Sequence, residues 1–175
     1  DFPGSISADM KLEFSQNPDS QWQGKIQIPK LGGQLRQRKL AGTADVAFQG
    51  WNITGNADLN IGSSRILVQG QEKGKLAVNV QMQPLLLDDL NPNWRGRILG
   101  TLDLSGTRSS PDYRVDVNAS ALDISGYRAA HAHLQGDSLV NRATELTLED
   151  LVIQNRIIER AQVLMTGHPR DAGLR

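Results

Sequence analysis

Gly42-Thr43-Ala44-Asp45-Val46-Ala47-Phe48-Gln49 and, past Gly50, Trp51-Asn52-Ile53-Thr54-Gly55-Asn56-Ala57-Asp58-Leu59-Asn60-Ile61 decide the fold class. Gly42, Ala44, Val46 and Phe48 alternate with Thr43, Asp45, Ala47 and Gln49. Trp51, Ile53, Gly55, Ala57, Leu59 and Ile61 then alternate with asparagine, threonine and aspartate. Successive side chains of a strand point to opposite faces, so a period of two predicts strands with one apolar face. Glycine at position 50 marks the turn between them.

The same period runs outward in both directions. Upstream, Ile6, Ala8, Met10, Leu12 and Phe14 form one apolar set, and Trp22, Gly24, Ile26 and Ile28 another. Pro29 is expected to end that run, because proline has no N–H for a ladder. Downstream come Ile66 and Val68, a turn over 70–74, then Leu76, Val78, Val80 and Met82. Residues 84–95 break the pattern: Pro84 and Pro92 bracket a short helical turn or loop and mark a candidate break in the chain. Alternation resumes at Ile98, Gly100, Leu102 and Leu104. After a turn over 106–111 it continues through Tyr113, Val115, Val117 and Ala119, and then Ala130, Ala132 and Leu134. Over 143–165 strand and helix readings compete. The β-branched residues and a Gln154-Asn155 turn favour strands.

The expectation is therefore an all-β chain of ten to twelve short strands, 1–175 being a single β-rich segment. No long amphipathic helix is available to cover the apolar face. A closed barrel, a sandwich, an open trough or a membrane barrel would each hide it. Aromatic residues are only 5% of the chain, too few for two interfacial girdles, and the apolar face is rich in small residues. Both points disfavour the membrane barrel.

Composition narrows function. Lys and Arg number 19, as do Asp and Glu, giving zero formal charge. A nucleic-acid partner is not expected, since phosphate binding needs a basic stripe. No apolar run approaches the roughly 20 residues of a membrane-spanning helix. Cysteine is absent, which removes thiolate metal sites and cysteine nucleophiles. The chain begins at Asp1 and reads as an internal piece of a longer protein.

Motifs that would carry chemistry fail on their particulars. Gly70-Gln71-Glu72-Lys73-Gly74-Lys75 is one residue short of a phosphate loop, and Leu76 stands where Ser or Thr is required. Asp89-Leu90-Asn91-Pro92-Asn93 opens like a calcium loop, but Trp94 occupies the glycine position and Gly100 the glutamate position. His131 and His133 share a strand face without a third ligand, and His168 falls beside Pro169 in a loop. Asn52-Ile53-Thr54 and Asn118-Ala119-Ser120 match the glycosylation sequon by chance. No enzyme, metal or cofactor is expected, and the apolar face is left as the functional feature.

Two runs carry a family likeness. One is Gly96-Arg97-Ile98-Leu99-Gly100-Thr101-Leu102-Asp103-Leu104-Ser105-Gly106-Thr107, leading to Pro111. The other is Val117-Asn118-Ala119-Ser120-Ala121-Leu122-Asp123-Ile124-Ser125-Gly126-Tyr127, leading to Leu134-Gln135-Gly136. Over 92–136 the chain resembles the C-terminal region of the TamB family, grouped with the AsmA-like bridge proteins of Gram-negative bacteria. The resemblance implies an antiparallel sheet rolled into an open trough with an apolar concave face. It also implies the periplasmic portion of a protein anchored in the inner membrane, within the translocation and assembly module. The implied partner is a TamA-like Omp85 barrel. The implied work is phospholipid transport to the outer membrane, or assembly of outer-membrane proteins such as autotransporters. No catalytic role is implied for any residue.

Such a trough would be lined by Ile26, Ile28, Val46, Phe48, Ile53, Leu59, Val78, Val80, Leu102, Leu104, Val115 and Val117. Phospholipid or an unfolded outer-membrane protein would be its cargo. Its cut first and last strands would be free to pair edge to edge with other copies. The competing reading is a structural or adhesive β-sandwich with a filled core.

Overall fold

A computed structural model describes residues 4–139, 143–154 and 156–166. It contains one antiparallel sheet whose strands follow chain order without a crossover. The strands are β1 (Gly4–Gln16), β2 (Trp22–Leu35), β3 (Arg38–Gln49), β4 (Asn52–Ile61), β5 (Ser64–Glu72) and β6 (Leu76–Leu86). A four-residue helix, α1 (Leu87–Leu90), precedes β7 (Arg95–Thr107), β8 (Ser110–Ile124), β9 (Tyr127–Asp137), β10 (Ala143–Ile153) and β11 (Arg156–Thr166). The sheet is open, with β1 at one edge and β11 at the other. It is one layer rather than a sandwich of two.

The eleven strands fall within the expected number, but they are not short. They run from nine residues in β5 to fifteen in β8. Prolines expected to end strands are absorbed instead. β2 continues through Pro29 to Leu35, because its register slips by one residue against both neighbours, between Ile28 and Leu31 against β3 and between Gln27 and Lys30 against β1. A bulge leaves one residue outside the ladder, and proline needs no ladder partner there. Pro84 likewise lies at the register shift between Met82 and Leu85, so β6 extends to Leu86. The 143–165 stretch forms β10 and the body of β11.

Most hairpins close with two-residue turns. The β2–β3 turn places Arg36 (φ 48) and Gln37 (φ 67) in the left-handed region, and the β8–β9 turn does the same with Ser125 and Gly126. Positive φ at both positions matches the right-handed twist of the flanking strands. The turns expected over 70–74 and 106–111 are tighter than read: β5 ends at Glu72 and β6 starts at Leu76, while β7 ends at Thr107 and β8 starts at Ser110.

Little of the chain is fully buried. The buried apolar residues are Leu40, Leu87, Val115 and Ala129. Three of these mark the end of the sheet bearing α1. There Leu40 pairs with Ile61, Ala129 pairs with Leu122, and Leu87 approaches Gly96. The rest of the apolar face has no second layer above it.

Candidate functional site: an uncovered apolar face

Register turns the alternation of single strands into rows that cross the whole sheet. One row reads Ile28, Ala44, Ala57, Val68, Val80, Leu102, Val115, Gly136, Thr144 and Met165 from β2 to β11. The row beside it reads Leu12, Ile26, Val46, Gly55, Gly70, Val78, Leu104 and Tyr113. On the other side lie Leu31, Gly42, Leu59, Ile66, Met82, Gly100, Val117, Leu134, Leu146 and Val163. Towards the end opposite α1, Phe14, Gly24, Phe48, Ile53, Glu72, Leu76 and Gly106 form a further row.

All twelve residues singled out in the sequence fall in these four adjacent rows. Val115 is buried, Ile53 is exposed and the other ten are half-buried. Half-burial comes from neighbours in the same face, so each side chain keeps an open side. At roughly 25 cal/mol per Å² of apolar surface, covering that open side is favourable for any apolar ligand that fits. Small residues recur in the rows, and at Gly24 they are required. A Cβ there would lie 2.7 Å from the Phe14 ring and 2.9 Å from the Phe48 ring. Those rings close over the glycine with their centroids 5.9 Å apart.

The opposite face is polar and hydrogen-bonded along its own rows. Gln27 Nε2 donates to Asp45 Oδ1 (3.0 Å), Asn79 Nδ2 to Asp103 Oδ1 (2.6 Å) and Gln81 Nε2 to Asn79 Oδ1 (2.9 Å). A broad hollow of about 900 Å³ runs along these side chains, deepened where the adjoining row carries Ala47, Thr54, Ala77 and Ser105. This hollow thus lies on the polar face, opposite the apolar rows.

Ion pairs keep the polar face in order. Arg65 donates twice to the Asp58 carboxylate, at 3.0 and 2.7 Å, and these bonds hold the Asp58 carboxyl below its ordinary range. The same pairing raises the Arg65 guanidinium, and hydrogen bonding to Asp137 raises that of Arg114. His133 Nε2 lies 3.0 Å from Asp116 Oδ1, and His131 sits opposite Ser120 and Glu149. Both histidines are on the polar face. Among the described residues no three His, Cys, Asp or Glu side chains are placed to hold a metal ion. His168 lies outside the described residues.

One cluster has no counterpart in the sequence reading. Asp89, which looked like part of a loop motif, is 2% exposed. Its Oδ2 accepts from Ser63 N, Ser64 N and Ser64 Oγ, and its Oδ1 lies 3.3 Å from Arg38 Nε. Arg38 also pairs with Asp88, and Arg36 Nη1 donates to Leu90 O. Helix α1 is thereby fastened to the β2–β3 and β4–β5 turns. A second departure is Glu72, which occupies an apolar row and pairs there with Arg108.

Among the described residues no helix is long and apolar enough to cross a membrane. The family model described as "TamB, N-terminal domain" matches residues 1–171, and the chain belongs to the TamB family. That description names the N-terminal domain, whereas the residue runs at 96–107 and 117–127 had pointed to a C-terminal region. No curated protein and no solved structure matches the chain.

Proposed function

We propose that this member of the TamB family is a non-enzymatic segment of the bridge component of the translocation and assembly module, working in outer-membrane biogenesis. In this reading the full protein is anchored in the inner membrane and extends through the periplasm. It meets a TamA-like Omp85 barrel, and residues 1–175 form a single β-rich piece of that extent. The AsmA-like kinship rests on the residue runs quoted above.

The apolar rows are read as the track. Bending the sheet about an axis along the rows would bring Ile26, Val46, Leu102 and Val117 to the inside of a trough. Acyl chains of a phospholipid would lie along the rows, each methylene removed from water contributing about 0.8 kcal/mol. Neighbouring rows are chemically alike, so a chain can slide without falling into one deep minimum. The apolar side of an unfolded outer-membrane strand is cargo of the same kind.

The observation that carries this reading is the uncovered apolar face across an eleven-stranded open sheet. A filled sandwich core would need a second layer, and the sheet is a single layer. The test is mass spectrometry of protein purified without added lipid. Co-purifying phospholipid supports the track, and a lipid-free, monodisperse protein counts against it.

A further inference from the structure

Four of the chain's eight aromatic residues gather in one corner, at the end of β1–β4 opposite α1. Phe14 and Phe48 close over Gly24 on the apolar face. Trp22 lies one step further out on the same face of β2, 60% exposed, and its carbonyl accepts from Gly50 N. Trp51, at the tip of the β3–β4 turn, is 84% exposed. Indoles this open are costly in water and suit a boundary, with an apolar body on one side and an N–H on the other.

Two lysines stand on the rim beside them. Lys73 and Lys75 occupy the next turn along, between β5 and β6, both exposed. Among the described residues neither has an ion-pair partner. On the polar side of the same corner is a hollow of about 580 Å³. It is lined by Lys25 and Lys73 with Gln23, Asn52 and Thr54, and its one acid is Glu13, opposite Lys25.

The geometry points to this corner as the seat of one anionic phospholipid, its headgroup–acyl boundary at the rim. The acyl chains lie over Phe14, Gly24 and Phe48, the indoles of Trp22 and Trp51 flank the glycerol region, and the phosphate turns over the rim to Lys73 and its hollow. This rests on the lipid-sheltering reading above and adds a place and a charge preference to it. An anionic headgroup is chosen because the cations are unpaired and a zwitterion brings its own positive charge.

The test uses phosphatidylglycerol brominated on its upper acyl carbons, phosphatidylcholine with the same chains, and tryptophan emission. In a Trp94→Phe variant only Trp22 and Trp51 report. Bound brominated phosphatidylglycerol should quench more than half of that emission, an order-of-magnitude expectation for indoles at the boundary. A Trp22→Phe/Trp51→Phe variant, reporting from Trp94 alone, should lose the quenching. Lys73→Gln with Lys75→Gln should lower phosphatidylglycerol retention about tenfold, from the usual contribution of a lysine near anionic lipid, and leave phosphatidylcholine unchanged. Lipid retained without quenching, or without the lysine effect, overturns the seat and leaves the proposed function standing. Quenching by vesicles with no lipid retained after gel filtration also overturns it, in favour of contact with a membrane surface. If no lipid binds at all, the seat falls and the lipid track of the proposed function falls with it.

Discussion

Oδ2 of Asp89 accepts two hydrogen bonds from one residue, Ser64: the backbone N–H at 3.0 Å and the hydroxyl at 2.8 Å. Ser64 Oγ in turn accepts from Leu86 N at 2.8 Å. The residue before α1 and a residue within it are therefore held by the same serine on β5.

Removing this carboxylate should be costly. Asp89→Ala leaves the buried N–H and hydroxyl of Ser64 without their acceptor, while Arg38, part exposed, keeps Asp88. Leaving a buried donor unsatisfied costs about 1–3 kcal/mol. At about 2–4 °C per kcal/mol for a chain of this size, the melting midpoint should fall by roughly 2–12 °C. Asp89→Asn keeps one acceptor and should lose less. Circular dichroism melting checks both, and an Asp89→Ala variant melting with the wild type would remove the fastening role.

The Asp58–Arg65 pair sets a pH dependence whose sign is fixed. The Asp58 carboxyl titrates below its ordinary value when folded, chiefly through the hydrogen bonds from Arg65. Its contribution is present above the unfolded value, about 3.9, and is lost as pH falls through the lower folded one. Carbon-13 titration of Asp58 should show its midpoint rising in Arg65→Gln. An unchanged midpoint would contradict the assignment.

Both sheet edges should pair with other copies. Every residue of β1 is exposed, with Ile6, Met10, Leu12 and Phe14 on its apolar side, and β11 exposes Val163 and Met165. Edge strands with free ladder groups are templates for association. Light scattering should show mass rising with concentration, and Ser7→Pro on β1 should reduce it. A strictly monomeric protein at high concentration would sink this expectation.

Leu102 and Thr101 separate the two faces in one strand. Leu102 pairs with Val80 and Val115 on the apolar face, and Thr101 with Gln81 and Asp116 on the polar one. Thr101→Arg gains an opposite charge across the ladder and should be nearly neutral. Asp103→Arg is a poorer control, because it would face Arg114. Leu102→Arg projects onto an open face, where its guanidinium can reach water while the stem covers apolar surface. The fold should survive with a loss of about 1 kcal/mol, and co-purifying lipid should drop sharply. Global unfolding of Leu102→Arg would mean that the face is sealed.

The face was legible from the sequence because one period, two, governs both strand and sheet. Once the strands pair in order, Ile28, Val80, Leu102 and Val115 share a row automatically. What the residues hid were features set by tertiary contact. Pro29 looked like a stop because a bulge depends on neighbouring strands. Arg36 and Gln37 are not turn formers, and no turn was read there. Their left-handed backbone is accompanied by a hydrogen bond from Arg36 to Leu90, 54 residues away. Asp89 belonged to a short irregular stretch between prolines, and only the return of α1 onto Ser63 and Ser64 buries it. Glu72 broke no alternation locally, since its partner Arg108 is also remote in sequence.

The central claim is that acyl chains lie along the apolar rows. It is tested most directly by placing a photocrosslinking amino acid singly at Val80, Leu102, Gln81 and Thr101 and irradiating the protein in cells. Positions 80 and 102 should yield phospholipid adducts, and positions 81 and 101 should not. Equal labelling from both faces, or adducts confined to 81 and 101, would contradict the account.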